Sequence, residues 1–400
     1  MSALFTEDRH ETVCASPWDP ARAHAAIQWI AKQTEAECSP QGFWATHPLD
    51  AKDPAPQYCL YFGACGVIWA LRFLEAQGAV RLSKNYEALV APLIEPNQEA
   101  MGHAPGTPFG SYMMGDTGIR LLEYGMHPSA RLASELADLI HANIHHPARE
   151  LMWGSPGTLL AALFLHRRTG EQRWAQLFRE TAGVLWSQLE GSAEEGCHFW
   201  TQDLYGQRSS YIDAVHGFVA TASPLIQGRN LMEAVDWASW KDCIANTITK
   251  TAEREGPLVN WRARLSTPRG GAKLMQYCHG APGFAICLAD FPDDSLDGLL
   301  IAAGESTWTA GPLRKGSNLC HGTGGNGYVF LKLYRRTGDA KWLERARAFA
   351  MHGIAQTERA YAEYGHLRHS LWTGDPGFAI YLWHCLHAGD RFPTLDVFFT

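Results

Sequence analysis

Two stretches of the chain set a cysteine and a histidine directly before glycine. "QYCHGAPGFAICL" carries Cys278 and His279, and "NLCHGTGGNGYVF" carries Cys320 and His321, 42 residues further on. Thiolate and imidazole are the usual zinc ligands, and three protein ligands with one open position make a catalytic site rather than a structural one. On a regular helix adjacent residues point about 100° apart and cannot share an ion. Cys320 and His321 can therefore converge only in a turn, and the glycines after them relax the backbone enough to make one. For a lone cysteine the plainer reading is a buried core thiol; two Cys-His-Gly copies at equivalent positions favour metal binding. His279 leaves two options open. With it the site is a closed Cys₂His₂; without it the site is Cys278, Cys320 and His321 with a vacancy. Two adjacent residues on each of two motifs seldom all meet at one ion, which favours the open set.

The chemistry of such a set follows from charge. Two thiolates already neutralise a zinc dication, leaving a weak Lewis acid for carbonyls. A further thiol can still bind there as a thiolate at neutral pH, where a free thiol with a pKa of about 8.5 would be mostly protonated. The pattern points to sulfur nucleophiles more than to hydrolysis.

Elements that could position these residues are written along the whole chain. Glycine motifs recur at Gly63, Gly115, Gly154, Gly217, Gly280, Gly322 and Gly374, with spacings of 52, 39, 63, 63, 42 and 52 residues. A recurring unit of this kind is the mark of a repeat architecture. "RRTGEQRW" from Arg167 and "RRTGDAKW" from Arg335 each begin 13 residues after a motif glycine, so whole units match at an offset of 168. In each unit a mostly apolar helix ends at Thr-Gly and a more amphipathic helix follows. A helix apolar nearly all round is buried, and an amphipathic one lies outside it. The first and last units lack the polar face of an end cap, so seven pairs fit a closed ring. The expected fold is all-α, an α/α toroid of seven helical hairpins over 58–400. Residues 1–57, with Pro17, Pro20, Pro40, Pro48, Pro54 and Pro56, read as a helix and irregular lead-in packed on the ring.

The chain has 400 residues, 46% of them hydrophobic and 19% charged, enough apolar material for a large core. A net charge of -7 and pI near 6.2 argue against nucleic acid or an anionic membrane as partner. No stretch reaches the roughly 18 apolar residues of a transmembrane span. "MSALFTEDRHET" shows neither a basic nor an apolar signal region, and the ten cysteines follow no disulfide framework. A cytoplasmic location with reduced thiols is expected. A self-closing ring has no exposed seam, which favours a monomer.

"YCHGAPG" and "LCHGTGGN", with the glycine repeats over roughly residues 58 to 390, resemble the lanthionine synthetase C-like family. That resemblance implies a seven-hairpin α/α toroid with one zinc held by Cys278, Cys320 and His321. Cys-His-Gly in the first motif is closer to the eukaryotic-type, glutathione-using branch than to the peptide cyclases, which tend to have Cys-Tyr-Gly. The family's fourth-repeat histidine corresponds to His216 in "AVHG", implying general acid/base work, although a single His before Gly is by itself more often structural. The acidic residue four before the third-repeat glycine corresponds to Glu150, implied to orient or polarise the acceptor. Lys315 matches a substrate-binding lysine, and Arg314 beside it adds a second cation for glutathione. "MSALFTEDRH" contains no recognisable copy of the family's N-terminal arginine-bearing segment.

The implied activity is zinc-dependent addition of a thiol, glutathione rather than a peptide cysteine, to dehydroalanine or dehydrobutyrine residues of a peptide or protein, forming a thioether. Lanthionine-forming peptide cyclisation and a non-catalytic zinc- or glutathione-binding scaffold are the alternatives. Prenyltransferases share the scaffold type, but their diphosphate-binding basic cluster is absent. Toroidal glycosidases need facing carboxylates and no zinc.

Overall fold

A computed structural model describes residues 4–39 and 43–400; Pro40 of the lead-in lies outside them. Among the described residues the chain forms fourteen α-helices. The first seven are α1 (Pro20–Ala36), α2 (Ala64–Ala76), α3 (Ile94–Ala100), α4 (Asp116–Met126), α5 (Ala130–Asn143), α6 (Ser155–Thr169) and α7 (Gln172–Ser187). The others are α8 (Phe218–Gln227), α9 (Ala234–Thr251), α10 (Ala281–Leu288), α11 (Asp297–Ala310), α12 (Thr323–Thr337), α13 (Ala340–Tyr364) and α14 (Asp375–His387). The strands found are three antiparallel hairpins of two short strands each, all in the long connections before the fourth and fifth repeats.

Every even-numbered helix starts at a motif glycine, which is its N-cap. Proline in the first turn of α6, α10 and α14 presets the helical φ where no intrahelical donor is needed. Gly170 and Gly338, the glycines of the two Thr-Gly stops, cap α6 and α12 in the left-handed conformation at φ 71°. These even helices are the inner ring: α2 packs on α4, α4 on α6, and so on round to α14, which packs back on α2. The odd helices lie outside. The first unit has only the short α3, because Pro92 and Pro96 break its outer segment into 3₁₀ turns and one short helix. The seventh inner helix takes its outer partner from the other end of the chain, since α1 lies along α14 and touches α13.

The turns that lead into the inner helices are stitched to one another. Backbone bonds run from Tyr61 N to Met113 O (3.1 Å), Leu151 N to Val215 O (3.2 Å), Cys278 N to Cys320 O (3.1 Å), Cys320 N to Trp372 O (2.8 Å) and Trp372 N to Tyr61 O (3.1 Å). The Ser111 hydroxyl to Met152 O and the Tyr277 hydroxyl to Ala214 O bridge the two remaining junctions. The last bond of the series joins repeat seven to repeat one and closes the ring.

The second glycine of a motif makes that approach possible. A Cβ on Gly377 would strike the Leu371 carbonyl and the Leu319 side chain of the preceding unit. A backbone carbonyl cannot step aside, so Gly377→Ala is expected to destabilise the protein by about 1–3 kcal/mol. A lowered denaturant midpoint at unchanged slope would show it; an unchanged midpoint would mean the junction is looser than described.

The C-terminal segment fills the interior under these turns. Thr394 O accepts from the Tyr112 hydroxyl (2.7 Å), Leu395 O from Gln227 Nε2 (3.1 Å) and Phe398 O from Trp69 Nε1 (2.9 Å). Phe392 stacks on Tyr277 at 4.9 Å. No helix of the described residues is long and apolar enough to cross a membrane.

Candidate metal and acid/base site

Counting back from the N-cap glycines puts the chemistry in register. Two residues before it stand Tyr61, Cys278 and Cys320; one residue before it stand His216, His279 and His321; four before it stand Ser111, Glu150, Asp213, Gln276 and Asn318. The residue at minus four builds the turn. Ser111 Oγ accepts from Met114 N (3.0 Å) and Asn318 Oδ1 from His321 N (3.0 Å). Asp213 Oδ1 accepts from His216 N (2.8 Å), and Glu150 Oε2 from Met152 N (3.0 Å). Such side-chain caps hold the turn open until the helix begins.

In the turns of repeats five and six, Cys278, Cys320 and His321 bring their ligand atoms within 4.8 Å of one another. Tetrahedral zinc would set them roughly 3.5–3.8 Å apart, so a small side-chain adjustment accommodates it. Both sulfurs also receive hydrogen bonds of the kind that orient metal thiolates, from Gln276 Nε2 to Cys278 Sγ (2.9 Å) and from the Tyr61 hydroxyl to Cys320 Sγ (2.8 Å). The hydrogen bond from Cys278, against the effect of burial and with help from His321 and Tyr61, holds the Cys320 thiol well below its usual range. Burial, then the neighbouring Cys320, pushes the Cys278 thiol well up. The donor set fits a thiophilic metal ion.

His279 is not brought to that group. Its Nδ1 lies 2.6 Å from Asp213 Oδ2, so its imidazole serves a carboxylate one repeat back. His216 repeats the arrangement, with Nδ1 2.8 Å from Glu150 Oε2, again one repeat back. The partners in both pairs are 66 residues apart. The two rings are neighbours at 6.3 Å between centroids. Burial works to lower the pKa of His216, but the hydrogen bond and charge of Glu150, with smaller contributions from Asp213 and Cys320, outweigh it and raise the pKa above 6.5. Nδ1 is committed to Glu150, so Nε2 is the nitrogen left for a substrate. Glu150 is fully buried and also accepts from Trp153 N (2.6 Å). Its carboxylate is thus engaged by His216 and by the backbone of its own turn.

Lys315 and Arg314 are exposed on the segment before Cys320. They line an open groove of about 480 Å³ together with His321, Arg359 and Arg368 and with the carboxylates Glu11 and Glu363. The N-terminal segment reaches this place too: Arg9 O accepts from Arg314 N (3.0 Å), and Glu11 N donates to Pro312 O (2.8 Å). No local pattern in the sequence reveals that pairing. Asp213, Gln276 and Tyr61 belong to no motif of their own, yet the repeats aligned on their glycines bring Asp213 and Gln276 level with Glu150, and Tyr61 level with the two cysteines.

The chain matches the profile of the family described as "Lanthionine synthetase C-like protein" over residues 21–397. It is 34% identical over 209 residues to the LanC-like protein GCL1 of Arabidopsis thaliana, covering 50% of this chain and 46% of that protein. It is 37% identical over 112 residues to the glutathione S-transferase LANCL1 of Danio rerio, covering 24% of this chain and 26% of that one. The alignable stretch thus spans less than half the length of these curated relatives. Among solved structures, nisin cyclase superposes with a TM-score of 0.63 at 15% identity, covering 93% of this chain and 96% of that one, a likeness of fold. With a profile match over nearly its whole length, the chain belongs to the lanthionine synthetase C-like family.

Proposed function

We propose that the protein binds one zinc ion through Cys278, Cys320 and His321 and adds the thiol of glutathione to dehydroalanine or dehydrobutyrine residues of a peptide or protein, forming a thioether. The observation that carries the reading is the meeting of an open three-donor site with a carboxylate-held imidazole on the same ring of turns. When bound, zinc would hold an incoming thiol as thiolate at neutral pH. Once sulfur has added to Cβ, the remaining task is delivery of a proton to Cα. His216 suits it, because its paired carboxylate stabilises the imidazolium and its Nε2 is free. Glu150 positions the ring and keeps it charged. The thiol's own proton goes to solvent, from which His216 is recharged.

The groove beside His321 favours free glutathione over a tethered cysteine. A peptide that carries its own thiol needs little else near the metal, whereas a small tripeptide with two carboxylates must be held against its loss of translational freedom. Arg314, Lys315 and Arg359 offer the charge-assisted bonds for that, while Arg368 is held by Asp50. One curated relative is also named a glutathione S-transferase. Action as a monomer in the cytoplasm is part of the same proposal.

Lys315→Ala is expected to raise KM for glutathione several-fold at unchanged zinc content. The test is steady-state kinetics with a dehydroalanine peptide, offering glutathione and, separately, a peptide with an internal cysteine. Reaction of the internal cysteine alone, with wild-type glutathione binding in Lys315→Ala, would replace this reading with a peptide cyclase.

A further inference from the structure

Addition of a thiolate to a dehydroamino acid moves charge as well as a proton. The sulfur lone pair forms the S–Cβ bond, the Cα=Cβ pair shifts to Cα–C, and the carbonyl π pair goes onto oxygen. Before Cα is protonated that oxygen is an enolate, and an enolate flanked only by carboxylate-paired histidines would be poorly supported. The structure places a cation beside them. The segment ahead of the repeat-four turn pairs with 263–265: Ile212 N donates to Ala263 O (2.9 Å), and Leu265 N to Ser210 O (3.0 Å). This pairing sets Tyr211 opposite Arg264.

The Tyr211 ring lies 5.4 Å from that of His216 and is stacked on that of His279 at 6.3 Å. The guanidinium of Arg264 sits over the same ring, 4.4 Å from its centroid, and its Nη2 donates to the phenol oxygen. Its neighbours Arg262 and Arg269 are both spent on Glu195. Arg264 forms no ion pair that is found among the described residues. It is thus an exposed cation held against the site by an aromatic face rather than by a carboxylate.

We propose that Arg264 and Tyr211 are catalytic residues that take the negative charge developing on the acceptor's carbonyl oxygen. This rests on the thiol-addition reading. The Tyr211 hydroxyl, polarised by the guanidinium, and the free N–H groups of Arg264 are the donors. His216 then gives its proton to Cα, the carbonyl re-forms, and the adduct leaves with no net change in oxidation state.

The test compares wild type with Arg264→Gln, Arg264→Lys and Tyr211→Phe on two acceptors, an N-acetyl dehydroalanine amide and the corresponding methyl ester, whose enolate forms more readily. Arg264→Gln is expected to lower kcat on the amide by roughly 10²-fold, the usual effect of losing one donor to a developing oxyanion. Its loss on the ester should be clearly smaller, and KM for glutathione should stay within about two-fold, since thiol binding involves other residues. Arg264→Lys keeps the charge and should recover part of the rate; it carries the comparison where the glutamine variant does not fold. Tyr211→Phe keeps the aromatic platform and should fall between. Equal losses on the two acceptors, unaltered kcat, or a parallel rise in glutathione KM would overturn the assignment. Wild type inactive on both acceptors would instead sink the thiol-addition reading on which it rests.

Discussion

Cys320→Ala is expected to lose zinc and all thiol addition while the ring stays folded. The two outcomes separate because different interactions carry them. The ring is held by seven largely buried inner helices and by the bonds that stitch the turns together. Cys320 contributes to that frame mainly through its backbone, which keeps both its bond to Trp372 O and the one it accepts from Cys278 N. The side chain that is lost leaves the half-buried Tyr61 hydroxyl without that acceptor, a penalty of at most about 1–3 kcal/mol, small beside a core of this size. Metal binding has no such reserve, because a three-ligand site reduced to Cys278 and His321 cannot hold zinc in a tetrahedral set. Metal analysis and circular dichroism on the same preparation check both halves. Retained zinc would remove Cys320 from the ligand set, and loss of cooperative unfolding would make the metal structural rather than catalytic.

His216→Asn is expected to lower turnover by roughly 10²-fold or more with zinc and glutathione binding intact. Asparagine keeps a polar group at the turn and the backbone bond to Asp213, but has no proton to give. The pH profile tests the role further. Glu150 raises the pKa of His216, so the imidazolium persists to higher pH than an ordinary histidine. Activity that needs it is present below that raised pKa and declines as pH rises through it. In Glu150→Gln burial meets less opposition, and the falling limb should move towards lower pH, with a milder loss at its optimum than in His216→Asn. An unmoved limb would mean that another group sets it.

What the sequence made legible were features encoded locally. Each motif glycine proved to be an N-cap because glycine tolerates the close approach of the neighbouring turn, and that requirement recurs wherever an inner helix begins. The Thr-Gly stops work through left-handed glycines, again a local matter. The two Cys-His-Gly turns were legible for the same reason: each is contiguous in the chain.

What the sequence hid depends on contacts between distant parts of it. Nothing near Pro20–Ala36 says that this helix will lie against Asp375–His387, because each is amphipathic or apolar enough to pack in several ways. The floor made by Phe392, Thr394 and Leu395 is hidden likewise, as is the reach of Arg9 to Arg314. Glu150 was visible as a carboxylate, but not its commitment to His216. That follows only when repeat four is closed against repeat three, as the Leu151–Val215 bond closes it.

The central claim is that the ring of turns activates a thiol and delivers it to a dehydroamino acid. The most direct measurement is mass spectrometry of a dehydroalanine-containing peptide incubated with glutathione and the zinc-loaded protein, alongside the protein bearing Cys320→Ala. A thioether adduct, gaining the mass of one glutathione per dehydroalanine, is expected to form many-fold faster than with the variant or without protein. Adduct formation at the uncatalysed rate by a folded protein with its zinc bound would contradict that claim.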